Sequence, residues 1–124
     1  MKVSNYQNVE ALKAEEGAEK LKVRWLINKE TGAENFAMRL FEMEQGGCSP
    51  LHSHPWEHEI FILEGTGLAT NGKDGKEFKE GDFIFIPSNE VHQLRNTSQK
   101  PVKFLCLIPY KHSDSCTGNR TCSC

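Results

Sequence analysis

The stretch His52-Ser53-His54-Pro55-Trp56-Glu57-His58 places three of the five histidines of this chain within seven residues. Alternate residues of an extended strand point to the same face, so His52 and His54 share a face and His58 has the same parity. His54 and His58 also have the four-residue spacing of a helix, but Pro55 disfavours a helix at this point. The stretch therefore predicts three imidazoles on one face of an extended segment.

A fourth histidine, His92, follows the apolar segment 83–86 and a turn at residues 87–89. Neutral imidazole is the commonest side-chain ligand of transition metals, and histidines from distant strands can converge on one ion. Two interpretations follow. The four histidines form a metal site, or they belong to a histidine-rich surface loop or pair with Glu57 and Glu59.

The rest of the chain has the pattern of an all-β protein. Short apolar stretches alternate with turn residues, and no strand–helix rhythm appears, which favours a sandwich or barrel over a doubly wound α/β fold. Residues 7–16 predict a short N-terminal helix that ends at Gly17. The predicted strands lie near residues 21–28, 35–44, 58–64, 66–71, 76–79, 83–86, 91–96 and 101–109.

The length of 124 residues corresponds to one domain, which we place at residues 1–111. Residues 112–124 contain no large apolar side chain that would anchor them to a core, so we expect a disordered tail. Cys116, Cys122 and Cys124 lie in this tail, and their spacings match no standard zinc motif.

The charge balance argues against nucleic acid as a partner. The 15 Lys and Arg residues are outnumbered by 17 Asp and Glu residues, so no basic excess exists to hold a phosphate backbone. The longest apolar run, residues 104–108, is far shorter than the roughly 20 residues of a membrane-spanning helix. The first eight residues contain no apolar signal segment. We therefore expect a cytoplasmic protein without a membrane partner, in which most cysteines are thiols.

Two motifs resemble those of the cupin superfamily. The first cupin motif is glycine, five residues, His-x-His, three or four residues, glutamate, six residues and glycine, and residues 46–65 resemble it. The second motif is glycine, five residues, Pro-x-Gly, two residues, histidine, three residues and asparagine. Its spacing is kept throughout by Gly81, Pro87, Asn89, His92 and Asn96. Asn89 replaces a turn glycine, and asparagine tolerates the left-handed backbone of such a turn.

The resemblance implies a metal site, because small single-domain cupins with a similar stretch bind their metal with four histidines. His58 stands where cupins usually have glutamate, and Glu59 is the rival ligand if four residues precede it. The resemblance also implies one divalent transition metal per chain, with manganese expected first and iron, copper, nickel or zinc as alternatives. The implied ligands are His52, His54, His58 and His92.

Five residues are candidates for the lining of a pocket beside the metal. Phe104, Cys106 and Ile108 alternate along the last predicted strand, where filling the core is favoured over contact with a substrate. Arg39 lies amid apolar residues; we expect it to face solvent, and the alternative is that it enters the pocket to bind an anionic substrate. Trp56 either covers the mouth of the cavity or packs at a dimer interface.

Taken together, the resemblance implies a double-stranded β-helix barrel of the jelly-roll type, with a short N-terminal helix. Small cupins commonly form homodimers, and exposed strand edges give a physical reason for one here. The function expected from the resemblance is metal-dependent oxidation of a small organic substrate, of dioxygenase type, with no catalytic residue assigned. The alternatives are a non-catalytic binding or sensing module, and a metal-dependent isomerase or decarboxylase.

Overall fold

Nine strands form a single antiparallel arrangement in the computed structural model, which describes residues 1–110. The strands are β1 (Leu12–Lys13), β2 (Glu19–Ile27), β3 (Phe36–Cys48), β4 (His58–Glu64), β5 (Gly67–Thr70), β6 (Gly75–Phe78), β7 (Phe83–Ile86), β8 (Gln93–Arg95) and β9 (Val102–Pro109). Their order is β6-β5-β8-β3-β9-β4-β7, and β2 joins β3 while β1 joins β2. The fold is the expected all-β jelly roll, and β2 to β9 correspond to the eight predicted strands.

The helix expected over residues 7–16 is wrong. This part of the chain forms a 3-10 turn at Tyr6–Asn8 and then strand β1, which pairs with β2. The guanidinium of Arg24 on β2 donates to the backbone carbonyls of Tyr6 and Val9 at 3.2 and 2.7 Å, which ties this turn to β2. Gly17 lies in the turn between β1 and β2, with a φ of 96°, so it does not end a helix. Backbone N–H and C=O groups of β1, which would bond within the segment if it were a helix, bond here to β2.

Strand β3 organises the core, because it pairs with β2 on one side and with β8 and β9 on the other. Its inward side chains include Arg39 and Phe41, which are opposite Cys106 and Phe104 of β9. The rings of Phe41 and Phe104 are stacked with their centroids 5.0 Å apart. The other side of β9 pairs with β4, which brings His58 next to this buried face.

Two turns have the backbone conformations that their residues predict. Asn89 has a φ of 68°, in the left-handed region, as expected for the residue that replaces a turn glycine. Its backbone N–H donates to the carbonyl of His54 at 2.6 Å, so the turn also supports the histidine loop. Gly65 has a φ of 93°, and a Cβ there would lie only 2.5 Å from the carbonyl oxygen of Pro101.

Asn96, the last residue of the second motif, connects three segments of the barrel. Its buried side-chain nitrogen lies within hydrogen-bond distance of the carbonyls of Met43 (3.2 Å), Glu44 (3.1 Å) and Lys100 (2.8 Å). Its side-chain oxygen accepts from the backbone N–H of Ser98 at 2.9 Å. Asn96 therefore ties β3 to the turn that leads into β9.

Asn96→Ala removes these bonds and leaves buried carbonyls without their donor. A buried unsatisfied polar group costs about 1–3 kcal/mol, so we expect the free energy of unfolding to fall by about 2–4 kcal/mol. Urea denaturation measures this loss. The matched control is Asn71→Ala, which removes hydrogen bonds of an exposed turn and should cost less than about 1 kcal/mol. Equal losses in the two variants would contradict the role given to Asn96.

Candidate metal centre

Two loops and one strand position the four histidines. His52 and His54 lie in the loop between β3 and β4, His58 begins β4, and His92 directly precedes β8. The backbones of His52 and His92 form an isolated antiparallel bridge, with N···O distances of 3.1 and 2.8 Å. This bridge joins the two sequence motifs, so residues that are distant in the chain reach one place.

The imidazole rings form one cluster. Ring centroids are 4.3 Å apart for His52 and His54 and 4.8 Å apart for His52 and His92. Ligand atoms of these three residues lie within 4.8 Å of one another. His58 is slightly further out, with its ring centroid 4.9 Å from that of His92 and 5.3 Å from that of His54. The structure thus brings all four sequence-predicted histidines together, three of them most closely.

Three ring nitrogens of the cluster have no hydrogen-bond partner among residues 1–110. They are the buried Nε2 atoms of His52, His58 and His92. Buried polar atoms are almost always paired, so three such atoms in one cluster indicate a group that would satisfy them. The Nδ1 atom of His92 lies 2.9 Å from the carbonyl of Glu90, which makes Nδ1 the protonated nitrogen and leaves Nε2 with a free lone pair. These residues fit a divalent transition metal.

The surroundings keep these imidazoles neutral. Burial, reinforced by the nearby histidines and Arg39, lowers the pKa of His52 to about 3 and that of His58 to about 2. Burial also lowers the pKa of His92, although its hydrogen bond to the Glu90 carbonyl opposes this shift. All three side chains therefore stay uncharged at neutral pH, and neutral imidazole is the form that binds metals.

The two glutamates next to the histidines lie outside the cluster. Glu57 and Glu59 are exposed. Glu59 lies on β4, where its backbone neighbours are Phe85 of β7 and Leu107 of β9. Glu59 has the opposite parity to His58, which is buried. This placement favours His58 over Glu59 as the fourth ligand, and it does not fit a surface loop of paired histidines and glutamates.

Glu15 is a site residue that the sequence reasoning missed. Its carboxylate oxygen Oε1 lies 4.0 Å from Nδ1 of His52, and its side chain is largely buried. Burial raises the pKa of Glu15 to about 7, and the positive charge of Arg39 acts in the opposite direction. The sequence contains no signal for this role, because Glu15 lies in the segment predicted as a helix and far from both motifs.

The expectation that Arg39 faces solvent is wrong. Its side chain is 0% exposed and lies on the inner face of β3. Its Nη2 atom is 3.0 Å from Sγ of Cys106. The guanidinium carbon lies over the rings of Trp25 and Phe41, at 5.4 and 5.0 Å from their centroids, and such contacts offset part of the cost of burying the charge.

The three candidates on β9 are all buried. Phe104 packs on Phe41, which is the core role favoured for it. Ile108 is likewise part of the hydrophobic core. Cys106 contacts the histidine cluster directly, since its Sγ lies 3.3 Å from Nδ1 of His58. Burial raises the pKa of the Cys106 thiol, against the opposing effect of Arg39, so this thiol stays protonated at neutral pH.

Trp56 is buried within the chain, so it lies neither at an open cavity mouth nor on a free surface. Its ring is stacked on that of His54, with centroids 4.4 Å apart and planes 6° from parallel. The stacking fixes the orientation of the His54 imidazole. Trp56 is therefore a support for one member of the cluster.

A cleft of about 630 Å³ lies between β6 and β7 and reaches the cluster at His92. Small-molecule sites commonly have volumes of about 300–1,000 Å³. Its lining combines apolar side chains, which include Phe78, Phe83 and Phe85, with about as many polar and charged ones, and His92 is the member of the histidine cluster that it includes. The cleft has the size of a site for a small organic molecule.

The chain matches the cupin domain over residues 39–108, which include both motifs and all four histidines. It is 36% identical to the oxalate-binding protein of Thermotoga maritima, over 74% of this chain and 78% of that protein. The structure of the polyketide cyclase RemF of Streptomyces resistomycificus has 34% identity and a TM-score of 0.82, and the match covers 88% of this chain and 79% of RemF. The chain belongs to the cupin superfamily.

A further relative is the 1-methylthio-D-xylulose 5-phosphate methylsulfurylase of Rhodospirillum rubrum, 34% identical over 57% of this chain. The matched region is 46% of that enzyme, so the chain spans about half the length of some curated relatives. Within residues 1–110, no helix is long and apolar enough to cross a membrane. The expected tail, with its three cysteines, lies outside the described residues.

His58→Ala should lower the bound metal much more than Glu59→Ala, because only the first side chain lies in the cluster. Losing an outer hydrogen-bond partner of a metal ligand already costs roughly 10–100-fold in metal affinity, so losing a ligand should cost at least that. Elemental mass spectrometry on untagged, desalted protein measures the metal content. Equal metal retention in the two variants would refute the assignment of His58.

Proposed function

We propose that this protein is a metal-dependent cupin enzyme that converts a small organic substrate in its barrel cavity. One divalent transition metal per chain would be held by His52, His54, His58 and His92. The observation behind this proposal is the set of three buried Nε2 atoms without partners, on imidazoles that are neutral at physiological pH. The cleft beside His92 offers room for the substrate.

The donor set bears on the class of reaction. Four neutral imidazoles would leave the full charge of a divalent ion in the site, whereas a glutamate ligand would cancel part of it. When bound, the ion supplies Lewis acidity and, if it is manganese, iron or copper, also redox chemistry. Oxidation of dioxygenase type, with dioxygen as the second substrate, is therefore the reaction class that we propose first, and manganese is the metal expected first.

The residues around the cluster prepare it for this role. The Glu90 carbonyl accepts from Nδ1 of His92 and fixes the tautomer of that ring. Trp56 holds the plane of His54 by stacking. The thiol of Cys106 contacts Nδ1 of His58, which leaves Nε2 of His58 as the atom available to a ligand. Because Trp56 and Cys106 are buried, they also exclude water from their side of the histidine cluster.

A second candidate is a reaction without dioxygen, or binding alone. Its support is the range of functions among the relatives: one is an oxalate-binding protein, one is a polyketide cyclase, and one is a methylsulfurylase. A metal-dependent isomerase or decarboxylase and a non-catalytic binding module both fit this set. Fold alone does not choose among them, because the same barrel supports many reactions.

Metal content and dioxygen consumption test the proposal together. We expect about one equivalent of manganese, iron or copper in untagged protein from cells grown without added metal. We also expect dioxygen uptake in step with loss of substrate on a panel of small organic acids and sugars, measured with an oxygen electrode. Turnover that is unchanged without dioxygen would replace the first candidate with the second. Zinc alone, or a folded protein without metal, would refute the redox proposal.

We also propose that two copies of the chain form a homodimer in the cytoplasm. Strand β7 ends the strand order and pairs only with β4 among residues 1–110, so one of its edges offers free backbone groups. The adjoining outer face is apolar: Phe83 is 82%, Phe85 53% and Phe61 44% exposed. Phe61 and Phe83 are direct neighbours across the two strands. A second copy would cover this face and this edge together, and it would also cover the part of the cleft that Phe83 and Phe85 line.

Replacing both Phe83 and Phe85 with Lys should convert the dimer to a monomer, because the charges would be buried at the interface. Light scattering after gel filtration measures the mass, which should fall by about half in the double variant. The control is Val3→Lys, at an exposed position far from β7 in the sequence, which should remain dimeric. A monomeric wild-type protein, or a double variant that stays dimeric, would contradict the proposed interface.

A further inference from the structure

We propose that Glu15 is a positioning residue for the metal centre: its side-chain oxygen accepts the Nδ1–H of His52, so that Nε2 of this ring faces the metal. This inference rests on the proposed function, because the metal site is the one proposed above. It adds a residue from the N-terminal segment, outside residues 39–108 that match the cupin domain. Three observations carry it: the surroundings of the ring nitrogens, the burial of Glu15 and the turn that holds Glu15 in place.

The two nitrogens of each imidazole have different surroundings. Three of the histidines have a buried Nε2 atom without a hydrogen-bond partner in residues 1–110, and all three have a neighbour at the opposite nitrogen, Nδ1. For His52, His58 and His92 these neighbours are Oε1 of Glu15 at 4.0 Å, Sγ of Cys106 at 3.3 Å and the carbonyl of Glu90 at 2.9 Å. A neutral imidazole carries its proton on one nitrogen and a lone pair on the other. An acceptor at Nδ1 therefore holds the proton there and leaves the lone pair on Nε2, where a metal can bind.

The side chain of Glu15 lacks the donor that its burial requires. It is 9% exposed, and its Oε1 atom is buried without a hydrogen-bond partner in the described part of the chain. Buried acceptors are almost always paired. Nδ1 of His52 lies 4.0 Å away, and a shift of about 1 Å brings the two atoms to the usual N–H···O distance. The ionised and the protonated carboxyl group both have an oxygen that accepts, so this role does not depend on the protonation state of Glu15.

A backbone turn holds Glu15 beside the histidine loop. The carbonyl of Glu15 accepts from the N–H of Ala18 at 3.1 Å, which closes the turn between β1 and β2. Gly17, inside this turn, lies against Pro50, since a Cβ at Gly17 would be 3.2 Å from Cβ of Pro50. Pro50 is two residues before His52. The turn and the histidine loop are therefore packed together, which keeps the side chains of Glu15 and His52 adjacent.

Arg39 is the rival donor for Glu15. Its Nε and Nη1 atoms are buried and have no hydrogen-bond partner among the described residues, and its positive charge opposes the effect of burial on the pKa of Glu15. Oε1 of Glu15 nevertheless makes no hydrogen bond to these atoms in the described part of the chain. A Glu15 side chain that served Arg39 would not influence which nitrogen of His52 carries the proton. The tautomer of His52 therefore distinguishes the two roles.

The test separates the reach of the Glu15 side chain from its charge. Glu15→Gln keeps an acceptor oxygen at the same reach without the charge, Glu15→Asp keeps the charge on a shorter side chain, and Glu15→Leu removes both. The matched control is Glu16→Gln, at the exposed neighbouring position. NMR of the full-length chain with isotope-labelled histidine rings reports the tautomer of His52, whose signals are those that His52→Gln removes. Competition with a chelator then measures the affinity of each variant for zinc(II).

In the wild-type chain without metal, we expect His52 to carry its proton on Nδ1. Glu15→Leu and Glu15→Asp should lose this preference and should bind zinc(II) roughly tenfold more weakly or worse, because an outer partner of a metal ligand is lost. Glu15→Gln and the control Glu16→Gln should retain both the tautomer and the affinity. Rescue by Gln but not by Asp would show that Glu15 acts as a positioned acceptor.

An unchanged His52 tautomer in Glu15→Leu would overturn the inference, because Glu15 would then serve Arg39 or no group at all. Wild-type behaviour of Glu15→Asp together with a loss in Glu15→Gln would also overturn it, since charge and not reach would then matter. If Glu15→Leu fails to fold, the comparison of Gln with Asp remains decisive. A wild-type chain that binds no metal would contradict the proposed function, and the tautomer measured without metal would still decide the role of Glu15.

Discussion

The backbone bridge between His52 and His92 is the constraint on which the site depends. Two reciprocal hydrogen bonds join the loop after β3 to the start of β8. These bonds fix the backbone positions of His52 and His92 relative to each other. The rings of these two residues are therefore close, with centroids 4.8 Å apart. Asn89 adds a third bond, to the carbonyl of His54, so the same loop is supported again by the turn before His92. The site is thus assembled by main-chain pairing before any ligand contributes.

The second organising feature is that a cation and a set of neutral imidazoles share one buried region. The charge of Arg39 disfavours protonation of His52 and His58, and burial acts in the same direction. Neither effect depends on a metal, so the protein itself keeps these histidines in the form that a metal requires. The cost of this arrangement falls on Arg39, which is stabilised by aromatic rings and by one thiol instead of by a carboxylate.

Features that depend on local patterns could be predicted from the sequence, and features that depend on distant pairing could not. The eight longer strands, the turn at Asn89 and the meeting of the four histidines follow from alternation and motif spacing. Arg39 has apolar neighbours on both faces of β3, so alternation alone does not show which face it occupies. Its inward position becomes clear only from the pairing with Cys106 on β9. The N-terminal segment has the local pattern of a helix, and its pairing with the distant strand β2 is not visible in its own sequence.

Glu15 and Trp25 have a consequence for how such a cavity can diversify. Both border Arg39 or the histidines, yet both lie before residue 39, where the match to the cupin domain begins. The histidines and the contacts that orient them lie within the matched region, whereas part of the wall around the guanidinium comes from outside it. Substitutions in the N-terminal segment can therefore change the surroundings of Arg39 and of His52 while all four histidines stay the same.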